Sequence, residues 1–270
     1  FLVHVFEAAS GSLLAVIEAD TMGMIRTGAA SGVAARWLAR PGAKVAGVFG
    51  AGWQAEGHVR ALCAALPLER VKVFARNRER LADFCTRMAA ATGVAVVPAA
   101  SAEDTVRGSD LVGTVTTASQ PLFEADWLEP GTHINAAGSN ALIRQEVSEA
   151  ALRRCALIAV DAVPTALAEA GDLLPLLEKG RLHSRQLVEL GDIIVGRHAG
   201  RHQRRGEPVL KGGQAAGHGR GAAHHAACRA GAHSTASARR RSSISASNAG
   251  TLSSRSISVG RGPIRAIRRS

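Results

Sequence analysis

Apolar and polar positions along the first 195 residues alternate between two periods, short apolar runs and longer stretches at helical spacing, as a parallel α/β sheet requires. Leu13–Ala19 reads as a strand and Thr21 to Ala39 as a helix. The strand at Val45, Val48 and Phe49 runs into a glycine turn, and the helix beyond it places Ala55, Val59, Leu62 and Leu66 on one face. Val71–Phe74 predicts the next strand, followed by a helix with Asn77 as N-cap, Leu81, Phe84, Cys85 and Met88 as its apolar face, and Gly93 at its end. A strand at Val94–Val97 precedes a helix opened by Ser101, with Asp104 three residues on in a capping-box pattern. Further strands are expected at Leu111–Val115, His133–Ala137 and Leu157–Val160, and helices at Arg144–Arg154 and Thr165–Leu177. Leu187–Val195 reads as a closing amphipathic segment.

After about Gly200 neither period persists. Residues 196–270 carry 15 of the 33 Lys and Arg with a single acid, Glu207, and no aromatic residue follows Trp127. Such a segment buries too little apolar surface to offset its ordering entropy, so disorder is expected there. The division also reinterprets the net charge of +11: residues 1–195 hold 18 basic and 21 acidic side chains, a net of −3, and the basicity belongs to the tail. Nucleic-acid binding is not expected, because stacking aromatics are absent among the arginines. His224-His225 reads as compositional rather than as a metal site, and no metal is expected. No apolar run reaches the ~18 residues of a membrane span, and the first residues lack a signal-peptide pattern. Four scattered cysteines without a C-x-x-C pair suggest reduced thiols and a cytoplasmic protein.

The chemistry concentrates at KVAGVFGAGWQAEGH, residues 44–58. Gly50, Gly52 and Ala55 stand at G-x-G-x-x-A spacing between a strand and a helix. The first glycine permits a tight turn, the second lets the backbone approach a pyrophosphate, and the small third residue lets helix and strand pack closely. Free N–H groups and the helix dipole would then hold phosphate charge. At the end of the following strand, where an acid would bind ribose hydroxyls, the chain has Ala75-Arg76-Asn77-Arg78. An arginine there accommodates a 2′-phosphate, which favours NADP(H), with NAD(H) possible; the alternative is that Arg76 and Arg78 form a solvated helix start.

Five segments together resemble the ornithine cyclodeaminase/mu-crystallin family: MIRTGAASGVAARWLAR (24–40), VFGAGWQAEGH (48–58), VFARNRER (73–80), THINAAGSN (132–140) and ELGDIIVGR (189–197). The likeness covers roughly residues 1–200. It implies a Rossmann-type doubly wound parallel sheet joined to a dimerisation and substrate domain, with 1–40 as the end of that domain, 41–195 as the nucleotide-binding domain and 196–270 as the basic tail. It also implies a homodimer and hydride transfer on an amino acid or cyclic imine. Arg26 matches the family arginine near the cofactor and the substrate carboxylate, a role its planar guanidinium suits. Trp53 and Gln54 match positions at the cofactor phosphates. Thr116, with Thr117 adjacent, matches the nicotinamide side. Asn135, Ala136 and Ala137 match a strand end facing the cofactor, and Arg144 is placed with the cofactor residues.

Three departures qualify the resemblance. Asn140 stands where cyclodeaminases carry a catalytic aspartate, and an amide cannot exchange a proton in that role. That favours the dehydrogenase and ketimine-reductase branches over a literal cyclodeaminase, with a catalytically inactive binding protein as the alternative. Asp172 and Asp192 are read as cap or surface carboxylates rather than as replacements. The family's substrate-binding lysine lies upstream of the arginine helix, whereas the first lysine here is Lys44. A missing N-terminal segment is therefore expected, and with it weak or no turnover. The change of character near 200–210 suggests a frameshift or abnormal gene end, which resequencing the coding DNA would test.

Overall fold

The computed structural model describes residues 1–201 and, as backbone, the strand 226–230. An antiparallel hairpin comes first, β1 (Leu2–Phe6) and β2 (Leu13–Glu18), with Leu2, Phe6, Leu13, Leu14 and Val16 all exposed. The apolar pattern marks β2 but not β1. Helix α1 (Asp20–Leu38) follows, and then β3 (Val45–Phe49), α2 (Trp53–Ala65), β4 (Arg70–Phe74), α3 (Arg78–Thr92), β5 (Ala95–Pro98), α4 (Ala102–Val106) and β6 (Leu111–Thr114). The chain continues through β7 (His133–Ala136), α5 (Glu149–Arg153), β8 (Cys155–Val160), α6 (Val163–Glu169), α7 (Leu174–Glu178), β9 (Leu187–Glu189) and α8 (Leu190–Ile194), with β10 at Ala226–Ala230.

The main sheet has the order β5-β4-β3-β6-β7-β10-β8-β9. Strands β5 to β7 run parallel, as do β8 and β9. Strand β10 lies antiparallel between β7 and β8, opposing Ala227 to Asn135 and to Ala159. Those five residues form a strand inside the segment for which disorder was expected, and residues 196–201 of that segment are also placed, with Arg201 donating to the Gly131 carbonyl at 2.8 Å; the rest of that expectation, with His224-His225, concerns residues 202–225 and 231–270, outside the described ones.

Alternation along the parallel strands sends successive side chains to opposite faces and so builds two cores. Ala46, Val48, Val71, Val73 and Leu111 meet α2 and α3 through Val59, Leu62, Leu81, Phe84 and Met88. Phe49, Val112 and Ile134 meet Val106, Phe123, Leu152 and Leu173 on the other face. Phe49 stacks on Phe123 with ring centroids 5.8 Å apart. The local signals around α3 hold as read: the Asn77 side chain accepts a hydrogen bond from the Arg80 N–H, and Gly93 closes the helix with φ 69°. The Ser101 hydroxyl likewise accepts from the Asp104 N–H.

Two helical expectations are corrected. Arg144–Arg154 is helical only over Glu149–Arg153, where Ser148 supplies the cap. Thr165–Leu177 is two helices, broken at residues 170–173. The Leu187–Val195 stretch, expected as a closing amphipathic segment, is a short strand, β9, followed by the five-residue helix α8. Cys155 is disulfide-bonded and departs from the expectation of reduced thiols, whereas Cys63 and Cys85 are free. No helix among the described residues is long and apolar enough to cross a membrane.

A buried carboxylate fixes the start of the sheet. Asp110 Oδ2 accepts from the backbone N–H groups of Lys44 (2.6 Å) and Val45 (2.9 Å), and Oδ1 pairs with the Arg40 guanidinium. Burial alone would push this carboxyl up, but the two backbone N–H groups and Arg40 outweigh it and the net direction is downward. Replacing Asp110 by Ala leaves those donors unpaired and is expected to cost about 2–3 kcal/mol in thermal or urea denaturation. Because the folded value lies below the unfolded one, this stabilisation is present above about pH 4 and is lost as pH falls further.

Candidate functional site

The parallel strands β3, β4, β6 and β7 end on one side of the sheet, where open α/β sheets place their ligands. Gly50 begins the turn there with φ 115°, a region disfavoured for residues with a Cβ. A Cβ at Gly50 would lie 2.4 Å from the Val115 carbonyl oxygen and 3.4 Å from Thr116 Cγ2, so the turn sits against the end of β6. Gly52 is the N-cap of α2 and supplies no side-chain hydrogen bond. The first N–H groups of α2 therefore have no side-chain cap, and nothing lies within 4 Å of where a Gly52 Cβ would stand. Open space over an uncapped helix start fits a pyrophosphate in charge and in shape. Trp53 and Gln54 are exposed at its rim and line a shallow cavity with Phe1, Asp20 and Thr21, while Ala55 is fully buried.

At the end of β4, Arg76 is exposed, and no hydrogen bond or ion pair involving its side chain is found among the described residues. Arg78 instead donates to the Ala99 and Ala100 carbonyls and stacks over Phe74, 5.7 Å from the ring centroid. This separates the two arginines: Arg76 is available to a ligand and Arg78 is committed to the fold. Asn77 is committed as well, through its cap on α3.

The β6 and β7 ends are joined by a carboxylate that sequence reasoning did not single out. Glu146 Oε1 accepts from both the Thr116 N–H and the Thr116 hydroxyl, each at 2.6 Å, and Oε2 accepts from the Gly138 N–H at 2.8 Å. The Thr116 oxygen also accepts from the Ala118 N–H at 3.0 Å, so this hydroxyl is engaged in holding its loop while Thr117 is exposed. Behind Glu146 stands Asp172, whose Oδ1 accepts from the backbone N–H groups of Glu146 (2.8 Å) and Val147 (3.0 Å). Asp172 is only 2% exposed, so it is not a surface carboxylate, and it does not cap α7, whose N-cap is Leu173 with no side-chain cap hydrogen bond. Burial pushes its carboxyl up to about 6, and burial raises Glu146 too. Asp192 is the surface group expected, paired with Arg197 at 2.8 Å.

The remaining residues fall in two groups. Ala136 and Ala137 are buried at the end of β7, and the exposed Asn140 follows in the same loop, its N–H bonded to the Gly138 carbonyl at 3.1 Å. Half-buried Arg144 borders that loop, its carbonyl accepting from the Ser139 hydroxyl at 2.8 Å. Asn135 does not present its side chain to the crevice. It is buried, its amide donates to the Ser31 carbonyl of α1 at 3.1 Å, and its side-chain oxygen accepts from His133 Nε2, also at 3.1 Å. Burial holds His133 neutral, with its pKa lowered to about 3. Arg26 is exposed on α1, the helix that packs along α2 where Met24 meets Gly57.

A parallel sheet whose glycine turn feeds an uncapped helix start defines the Rossmann class of nucleotide-binding folds. The chain belongs to the ornithine cyclodeaminase/mu-crystallin family, whose model matches residues 1–210. A Delta(1)-pyrroline-2-carboxylate reductase of Bacillus cereus is 35% identical over 201 residues, 74% of this chain and 62% of the relative. The ketimine reductase mu-crystallin of Mus musculus is 32% identical over 194 residues, 72% of this chain and 58% of the relative. Among solved structures, Thermococcus litoralis Delta(1)-pyrroline-2-carboxylate reductase in complex with NADH and L-proline matches with a TM-score of 0.70 and 31% identity. That match covers 73% of this chain and 61% of the other. The chain thus spans about three-fifths of the length of these relatives.

Proposed function

We propose that this chain carries the nucleotide-binding part of an NAD(P)H-dependent reductase acting on a cyclic imine, or on the corresponding amino acid in reverse. The observation that carries the reading is the open, uncapped start of α2 above Gly52, framed by the tight turn at Gly50. The names of the Bacillus cereus and mouse relatives, both reductases of C=N compounds, support the reaction class. A bound nicotinamide would supply the hydride; the protein supplies orientation and charge. Gly50, Gly52, Trp53 and Gln54 would hold the pyrophosphate, Arg76 a 2′-phosphate, and Arg26 a carboxylate or phosphate. The Asn140 amide cannot serve as a proton-exchanging acid, which favours reduction over cyclodeamination. Within this reading residues 1–40 belong with a substrate and dimerisation domain, 41–195 form the nucleotide-binding domain, and the assembly is a homodimer.

The NADH in the Thermococcus litoralis structure supports a nicotinamide cofactor, while the unengaged Arg76 favours the phosphorylated form. Replacing Arg76 by Ala is expected to weaken NADPH binding about tenfold, a charge-assisted contact of about 1.4 kcal/mol, and to change NADH binding less than about twofold. Fluorescence titration of both cofactors checks this, and tighter binding of NADH than NADPH by the unaltered chain overturns the preference. A second reading, nucleotide binding without turnover, uses the same glycine turn and helix start. Following NADPH oxidation with Delta(1)-pyrroline-2-carboxylate separates the two: binding with no oxidation selects the second.

A further inference from the structure

Glu146 is fully buried, and its carboxylate accepts hydrogen bonds from two loops that face the proposed cofactor. One loop follows β6 and contains Thr116; the other follows β7 and contains Gly138 and Asn140. The loops are in tight contact, since a Cβ at Gly138 would lie 2.4 Å from the Thr116 carbonyl oxygen and 2.5 Å from Glu146 Oε1. The β6 loop in turn abuts the glycine turn at Gly50. The clamp is itself anchored, because Asp172 holds the backbone N–H groups of Glu146 and Val147 and so fixes where the carboxylate can reach.

We propose that Glu146 is a positioning residue, one that touches no ligand but ties the β6-end and β7-end loops together and thereby sets the walls against which the nicotinamide ring is oriented. The inference rests on the nucleotide-binding reading above. Its chemistry follows from the donor set. A carboxylate offers acceptors on both oxygens, and here three donors from two loops converge on it. A glutamine has nearly the same size but replaces one acceptor with an NH2 donor, which must then face the Gly138 N–H or the Thr116 donors. The loops lose their common tie, while the start of α2 and Arg76 are untouched.

The test compares two ligands that share every group except the ring: NADPH and 2′-phospho-ADP-ribose, titrated against the unaltered chain and Glu146→Gln. The expected result is a roughly tenfold loss of NADPH affinity with less than about a twofold change for 2′-phospho-ADP-ribose, and a smaller shift in the fluorescence of bound NADPH. A general loss of structure would weaken both ligands alike, so parallel changes, or no change in either, overturn the proposal. If Glu146→Gln does not fold, Thr116→Val removes the hydroxyl tie alone; the same selective loss is then expected, and parallel changes overturn it. Failure of the underlying reading is distinguishable, because the unaltered chain would then bind neither ligand.

Discussion

Replacing Gly52 by Asp is expected to abolish dinucleotide binding and leave the fold as stable as before, or slightly more so. The two effects have opposite signs because the same atoms serve both. Gly52 is the N-cap of α2 with φ −98°, an ordinary conformation for any residue, and nothing crowds its Cβ position. An aspartate fits there, accepts from the first N–H groups of the helix and complements the helix dipole, gaining a few tenths of a kcal/mol over glycine. Those N–H groups are the ones proposed to bind pyrophosphate. A carboxylate in their place removes the donors and sets like charges together, which costs several kcal/mol, so affinity for NADPH should fall more than about 100-fold. Thermal melts paired with fluorescence titration measure both sides. Retained NADPH binding by a well-folded Gly52→Asp chain would sink the assignment of the site.

What the sequence made legible is what local chemistry decides. The apolar face of α3, its Asn77 cap and its Gly93 end all lie within one helix and its flanks, and each is where the pattern put it. The glycine turn is legible for the same reason, since strand, turn and helix are contiguous. The two helix errors share one long-range cause. Asp172 reaches back to take the N–H groups of Glu146 and Val147, and the Gln145 N–H bonds to the Ala118 carbonyl, so these groups do not bond within a helix and α5 starts only at Glu149. The same inward turn of Asp172, with Gly171 packed under the Ala141 and Arg144 carbonyls, breaks the segment read as a single helix into α6 and α7. No periodicity encodes a contact between residues 26 positions apart.

The site divides along the same line. Positions at the ends of β6 and β7 were legible from the resemblance, but the occupations of their side chains were not. Thr116 is held by Glu146, Asn135 by α1, and Asn77 by its own helix. Glu146 left no signal, because an acid in a stretch such as RQEVSEA reads as a solvated face. Its role emerges only when two loops from different strands close around it. Arg76 shows the converse: its neighbour Arg78 carries the same charge, and only the contacts with Ala99, Ala100 and Phe74 tell which of the two is available.

The largest loss of stability is expected from one added methyl group at Gly47. This residue lies in β3, paired on both sides by β4 and β6, so its backbone has no freedom to withdraw. A Cβ there would stand 1.9 Å from the Thr105 carbonyl oxygen of α4, far inside any tolerable contact. Helix α4 cannot retreat cheaply either. The Ser101 hydroxyl caps it, and Lys72 reaches across to donate to the Asp104 and Arg107 carbonyls. Overpacking of this kind costs about 3 kcal/mol, which in a chain of this size corresponds to a Tm lower by about 6–12 °C. Gly113 provides the control, one strand away and opposite Val48 in the register. A Cβ at Gly113 would meet only Val48 Cγ2, at 3.8 Å, and the Gly47 carbonyl oxygen, at 4.0 Å, so Gly113→Ala should fold with little change. Both substitutions add the same atom to the same residue type on adjacent strands. Only the distance to the neighbouring helix separates them, and coincident melting curves for the two variants would show that α4 does not sit where β3 requires it.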